Sequence, residues 1–287
     1  GMSDANTPYP IGSATSTNVY SLTVTDNGGN TATDVVTITV NPLPAIVLNC
    51  ANATQSMYGG VLTFSLCDPG YSTYAFDFTD ASSATPGSSY AITWGNGDVA
   101  THASPGWSDT QQYQTGLTTG SHTVHEPGPN GCDLTIPFNV FIGEVPVGGL
   151  SVVTVSSICT GGTISFTWNN FSSNPPGTQY IVNYGDGVID TLPQPLQTTF
   201  QHTYAVSSCT MAGGEFSLDW RITNPCDTRT GQLGQIRVSQ SPSASFTVSP
   251  NDTACVNGTV TFTDNSLGEQ APTCTSPKHL WSISPPT

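Results

Sequence analysis

Along most of this chain apolar side chains alternate with hydroxyl-bearing ones. Tyr20-Ser21-Leu22-Thr23-Val24-Thr25 puts Tyr20, Leu22 and Val24 on one side and three hydroxyls on the other. A period of two is the mark of a half-buried strand. The run turns at Asp26-Asn27-Gly28-Gly29-Asn30 and returns as Val35-Val36-Thr37-Ile38-Thr39-Val40, which predicts a hairpin. No window carries apolar residues at i, i+3, i+4 and i+7 over a dozen positions, so no helix is expected. The pattern is all-β.

The strands recur in order. Tyr90-Ala91-Ile92-Thr93-Trp94-Gly95-Asn96-Gly97-Asp98 is echoed about ninety residues on by Tyr180-Ile181-Val182-Asn183-Tyr184-Gly185-Asp186-Gly187. Asn130-Gly131-Cys132-Asp133 is echoed by Asn224-Pro225-Cys226-Asp227. Gly59-Gly60-Val61-Leu62-Thr63-Phe64 is matched to Gly161-Gly162-Thr163-Ile164-Ser165-Phe166 and to Asn257-Gly258-Thr259-Val260-Thr261-Phe262. Tandem copies of one domain follow. Residues 44–146 and 147–241 are read as whole domains. Residues 1–43 match only the closing strands of a repeat, and residues 242–287 only its opening strands, with Trp281 where Trp94 and Tyr184 stand. Junctions are expected at Asn41-Pro42-Leu43-Pro44, Glu144–Gly149 and Gln240-Ser241-Pro242-Ser243, because proline cannot donate to a central ladder.

Composition narrows the setting. Charged residues are 8% of the 287 and the net charge is −15. The cations are Lys278, Arg221, Arg229 and Arg237, too few for counterion release on a nucleic-acid backbone or for an anionic membrane surface. About a quarter of the residues are Ser or Thr, so the polar surface is mostly neutral hydroxyl. Eight cysteines without a CxxC or His-spaced pair point to disulfides and an oxidising compartment. No apolar run reaches the ~18 residues of a membrane span. Gly1-Met2-Ser3 shows no signal peptide, so targeting information is expected outside these residues.

Tyr180–Gly187, then His202-Thr203-Tyr204 and Phe216-Ser217-Leu218-Asp219-Trp220-Arg221-Ile222, resemble the PKD domain: an aromatic–x–aromatic strand, a GDG turn and an HTY strand end. Asn130-Gly131-Cys132 and Asn224-Pro225-Cys226 are similar to the F–G turn of PKD-like repeats in Bacteroidetes surface proteins, and Val40–Pro44 to their linkers. Residues 44–146 depart from the pattern: the Asp shifts to Asp98, and the HTY end is missing near Gln112-Tyr113. The resemblance implies tandem immunoglobulin-like (PKD-type) β-sandwiches in an elongated array. It also implies large extracellular, cell-surface proteins, among them gliding adhesins of the SprB type exported by the type IX route, in which the repeats act as stalks and spacers.

Within such a sandwich Cys67 would close strand B and meet Cys132 at the F–G return, and Cys159 would meet Cys209 in the E–F loop. Cys255 would pair with Cys274. Cys50 and Cys226 would form a bridge between domains, with Cys159–Cys226 as the rival. Catalysis is not expected: there is no nucleophile elbow, His202 belongs to the strand end, and His122 and His125 fall on opposite strand faces. Asp186 and Asp98 are read as turn residues. A structural calcium is the one cofactor with candidate ligands, Asp26, Asn27, Asn30 and Asp34. Trp107, in a loop with Tyr113 nearby, would offer a sugar-stacking surface if exposed. The expected function is a non-catalytic stalk or spacer of an extracellular adhesin or surface filament. Its partners would be neighbouring repeats, with polysaccharide or another cell surface beyond them, and no nucleic acid or membrane. A carbohydrate-binding module and an accessory region of a secreted hydrolase are the alternatives.

Overall fold

The structure, a computed structural model, describes residues 9–40, 43–68, 70–84, 86–127, 131–152, 157–192, 196–275 and 278–284. Asn41, Pro42 and Asn130, used above for a linker and a turn, lie outside them. Strands β1 (Asn18–Thr25) and β2 (Thr31–Ile38) form the expected hairpin as a separate two-stranded sheet.

Two sandwiches follow. The first comprises β3 (Leu48–Cys50), β4 (Thr54–Tyr58), β5 (Val61–Cys67), β6 (Thr73–Asp80), β7 (Ser89–Thr93), β8 (Val99–His102), β9 (Ser108–Gln114), β10 (Gly116–His125) and β11 (Asp133–Gly143). Its sheets are β3-β6-β9 and β4-β5-β11-β10-β7-β8. The second comprises β12 (Gly149–Val152), β13 (Ser157–Cys159), β14 (Thr163–Asn169), β15 (Gln179–Asn183), β16 (Ile189–Leu192), β17 (Thr199–Thr203), β18 (Phe216–Asn224) and β19 (Asp227–Ser243). Its sheets are β12-β14-β17 and β13-β19-β18-β15-β16. In both, a three-stranded sheet faces a larger one whose last strand takes an early strand in parallel, β5 on β11 and β13 on β19. This is the immunoglobulin-like arrangement. Beyond them lie β20 (Phe246–Ser249), β21 (Thr261–Asp264) and β22 (Leu267–Glu269), the last paired with β19.

Alternation explains the cores. In β14, Ile164, Phe166 and Trp168 are buried between less buried Ser165 and Thr167. Phe76 and Phe78 of β6 do the same, and Phe78 meets Phe64, Trp94 and Phe138 at ring separations of 4.9 to 6.0 Å. Each core is separate.

Two expectations are corrected here. The Val61–Phe64 echo is not structural: β5 runs parallel to β11, while the counterpart of β14 is β6, because β3-β6-β9 repeats β12-β14-β17. The β4–β5 hairpin is an extra element, and its alternation is indistinguishable from that of a true B strand. Nor does the chain break at Gln240–Ser243. Strand β19 runs through it to Ser243, with Pro242 at a register shift between Gln240 and Ser243, where no ladder donor is required.

The irregular strand end of the first sandwich has a direct explanation. Tyr204 directs its hydroxyl to the Tyr184 carbonyl at 3.4 Å, and His202 Nε2 lies 2.8 Å from Asp186 Oδ2 with its ring stacked on Tyr184. In the first sandwich Tyr113 donates to the Trp94 carbonyl at 3.0 Å, and Asn96 Nδ2 lies 3.3 Å from Gln111 Oε1. Gln111-Gln112-Tyr113 therefore stands in for His202-Thr203-Tyr204, a neutral amide pair replacing the Asp–His pair.

Candidate functional site

The features with consequences beyond single-domain folding lie at the joints. Cys67, at the end of β5, is bonded to Cys226 in the β18–β19 turn of the following sandwich, 159 residues away. Around this bridge the Tyr58 hydroxyl lies 3.0 Å from both the Gly177 and Thr223 carbonyls, and its single proton serves one at a time. Burial pushes its pKa up to about 12 against a smaller opposing pull from Arg221, so it stays a neutral donor. Asn224 Nδ2 donates to the Glu144 carbonyl at 2.8 Å, and Leu117 N donates to the Pro176 carbonyl at 2.9 Å. Asn174 holds the connecting segment by accepting from Val147 N (2.8 Å) and donating to the Val147 carbonyl (2.7 Å). The surfaces meet so closely that a Cβ on Gly177, which has φ +94°, would run into Leu117. Only glycine tolerates both conditions.

The second joint repeats the design. Cys209, in a 3₁₀ turn after β17, is bonded to Cys274 beyond β22, 65 residues on. Ala271 N donates to Ser239 Oγ at 3.1 Å, and Pro272 lies against Gly214 (φ +65°), where a Cβ would strike the Pro272 carbonyl. At the first joint Pro176 lies against Gly116 (φ +119°) in the same way. In each case a proline of one repeat is seated on a positive-φ glycine near the E–F corner of the repeat before it. The chain-entropy relation assigns about 5 and about 4 kcal/mol to loops of 159 and 65 residues.

The cysteine pairings expected from sequence are thereby corrected. Cys67 lies opposite Gly143, whereas Cys132 precedes the far end of β11, about 35 Å away along the strand. Cys209 and Cys274 pair with each other, which removes the partners proposed for Cys159 and Cys255; both of these are free and exposed. Cys226 does bridge two sandwiches, but not to Cys50, which is buried beside Phe78 and donates to Asn52 Oδ1. The rival Cys159–Cys226 also fails: Cys159 pairs with Ser239, and Cys226 precedes the opposite end of β19. Cys132 is free and half-buried.

The aromatic candidates are core residues. Trp107 is 8% exposed, stacked on His102 with centroids 4.6 Å apart, and Tyr113 is 2% exposed. The loop folds inward because Asp80 N donates to the Trp107 carbonyl at 3.0 Å and Asp80 Oδ2 accepts from Gly106 N at 3.1 Å. Neither ring offers a face to a sugar. Asp26 is committed to its turn, its Oδ1 accepting from Gly28 N and Asn30 N at 2.8 Å and its Oδ2 from Asn30 Nδ2 at 2.9 Å. Those bonds, the Asn30 side chain first, hold its pKa below the usual value. Asn27 is an exposed turn residue, and Asp34 accepts from Val35 N on the strand. Among the described residues no three His, Cys, Asp or Glu side chains converge, and no helix is long and apolar enough to cross a membrane. Sequence reasoning missed Tyr58, Pro176, Gly177, Gly214 and Pro272. The Pro-Gly pair before the aromatic strand, at Pro86-Gly87 and again at Pro176-Gly177, was the available signal.

No protein-family model matches this chain, and no curated protein matches it in sequence. Solved structures do. Murine CEACAM1b aligns over 69% of this chain and 100% of its own, with 10% identity and a TM-score of 0.29. A calcium-stabilised adhesin with which an Antarctic bacterium binds ice aligns over 81% of this chain and 59% of its own, with 14% identity and a TM-score of 0.26. Extracellular cadherin domains 3–6 of protocadherin gamma B2 align over 89% and 68%, with 11% identity and a TM-score of 0.26. The fold assignment rests on strand order and core, not on these scores.

Proposed function

We propose that this chain is a non-catalytic, load-bearing segment of an extracellular stalk, built from PKD-like repeats that hold a distal part of a larger adhesin or surface filament away from the cell. One observation carries the reading: both joints between successive repeats are closed by a disulfide and a proline–glycine seat. A bridge inside one sandwich would leave the joint free, whereas a bridge between repeats also fixes how neighbours sit. Disulfides persist in oxidising compartments, which supports an extracellular setting. The PKD-like strand and turn motifs support kinship with Bacteroidetes surface proteins, including gliding adhesins of the SprB type and their type IX export. The burial of Trp107 and Tyr113 counts against the carbohydrate-binding alternative.

Small-angle X-ray scattering with and without reductant tests the reading. A compact body of this length would have a radius of gyration of about 19 Å. A stalk segment exceeds that clearly in the oxidised form, and its distance distribution broadens on reduction as the joints loosen. A value near the compact figure, or a profile indifferent to reduction, would refute it.

A further inference from the structure

Cys159 has a free, exposed thiol, although it stands where another repeat has a bonded cysteine. Cys67 lies opposite Gly143 in the parallel β5–β11 ladder, and Cys159 opposite Ser239 in the parallel β13–β19 ladder. Neighbouring strands show these places to be the same. Ile92 pairs with His122 and Val182 with Trp220, which matches Thr118 of β10 to Phe216 of β18 and their partners Val140 to Ile236. Gly143 and Ser239 each follow three residues later. One register place in a parallel ladder presents its side chain on one sheet face, so Cys159 is presented as Cys67 is. Cys255 holds the place again in the next repeat. Gly258 N donates to its carbonyl at 2.8 Å, as Gly162 N donates to the Cys159 carbonyl at 2.9 Å.

What Cys67 meets is set by how the following repeat sits, and both joints are seated alike. At the first, Pro175 lies over Gly143 and Pro176 over Gly116. At the second, Ala271 N donates to Ser239 Oγ at 3.1 Å and Pro272 lies over Gly214. Gly116 and Gly214 each stand two residues before the matched Thr118 and Phe216. Pro175-Pro176 and Ala271-Pro272 therefore touch matched positions on the repeat before them. The interior of the seated repeat matches too. Val248 opposite Phe262 repeats Val152 opposite Phe166, and Phe262–Trp281 at 5.7 Å repeats Phe166–Tyr184 at 5.9 Å. A repeated seat brings the F–G turn of the seated repeat to the end of the parallel strand before it. There Cys226 is bonded to Cys67, its Sγ 3.9 Å from the Gly143 carbonyl oxygen.

We infer that Cys159 is one half of a further inter-repeat disulfide, its partner a cysteine in the F–G turn of the repeat that opens with β20. The inference rests on the proposed reading of this chain as a segment of a longer repeat array, since that turn is not among these 287 residues. Trp281 stands where Tyr184 stands, and Cys226 follows Tyr184 at a distance that puts the partner about 40 residues after Trp281. Bond formation joins the two sulfurs with loss of two protons and two electrons. The electrons pass to a protein disulfide of the oxidising compartment, which is reduced to two thiols. The second joint then has two covalent closures where the first has one.

The test is disulfide mapping of the full-length protein, digested without reduction after its free thiols are labelled with a maleimide. The Cys159 peptide is expected unlabelled and linked to a peptide from about 40 residues after Trp281. In a Cys159→Ser variant that downstream peptide gains one labelled thiol, and no other peptide changes. A labelled Cys159, or Cys159 linked to Cys132 or Cys255, would overturn the inference. The same digest reports Cys67–Cys226 and Cys209–Cys274. Their loss sinks the stalk reading, whereas their presence beside a labelled Cys159 sinks this inference alone.

Discussion

The two disulfides overlap along the chain, Cys67–Cys226 enclosing Cys209 and Cys209–Cys274 enclosing Cys226, and this has a mechanical consequence. Tension applied at the termini enters through residues 1–67, crosses to Cys226, runs back to Cys209, crosses to Cys274 and leaves through residue 287. Only about a third of the chain bears load. At roughly 3.5 Å per extended residue, the oxidised molecule stretches to about 350 Å, against about 1,000 Å when reduced. The single variants differ. Cys67→Ser returns residues 68–208 to the path while 210–273 stay shunted, adding about 430 Å. Cys209→Ser exchanges residues 209–225 for 227–273 and adds only about 100 Å. Force–extension measurements on single molecules read these increments directly. Equal gains from the two variants, or no gain from Cys67→Ser, would refute the load path and with it the mechanical role assigned to the joints.

Three further outcomes are expected. Gly177→Ala forces a side chain into Leu117 at φ +94° and should weaken the first joint by more than about 1 kcal/mol, read as faster proteolysis of the Glu144–Gly149 connection with both sandwich cores intact. Cys50, whose thiol burial pushes up to about 11, should resist alkylation in the native protein while Cys132, Cys159 and Cys255 react; modification of Cys50 without unfolding would contradict its place in the core. His122 is fully buried, with burial lowering its pKa below 6.5, a smaller opposing pull from Asp80 and a further lowering by His102. The folded state therefore holds it neutral, and the stability it contributes above pH 6.5 is lost as pH falls. The thermal stability of the first sandwich should fall as pH drops below 6.5, and His122→Phe should flatten that dependence.

Much of the fold was legible because it rests on period-two alternation and Gly/Asp turns, both local. The β7 and β15 strands with their turns, and the β1–β2 hairpin, follow from those rules alone. Val61–Phe64 was misassigned for the same reason: alternation identifies a strand but not its partner, and β5 and β14 differ only in which sheet they join. The joints were largely hidden. A disulfide between repeats depends on how whole sandwiches abut, so Cys226 could be placed at an inter-domain bridge while its partner could not. Trp107 was ambiguous because loop polarity says nothing of the Asp80 carboxylate that draws Gly106 inward.

Disulfide mapping of the oxidised protein by proteolysis and mass spectrometry, without reduction, addresses the central claim most directly. The account predicts one peptide pair linking Cys67 to Cys226 and one linking Cys209 to Cys274, with the other four cysteines carrying free thiols. Cys67 linked to Cys132, or Cys159 to Cys226, would confine the bridges to single sandwiches and contradict it.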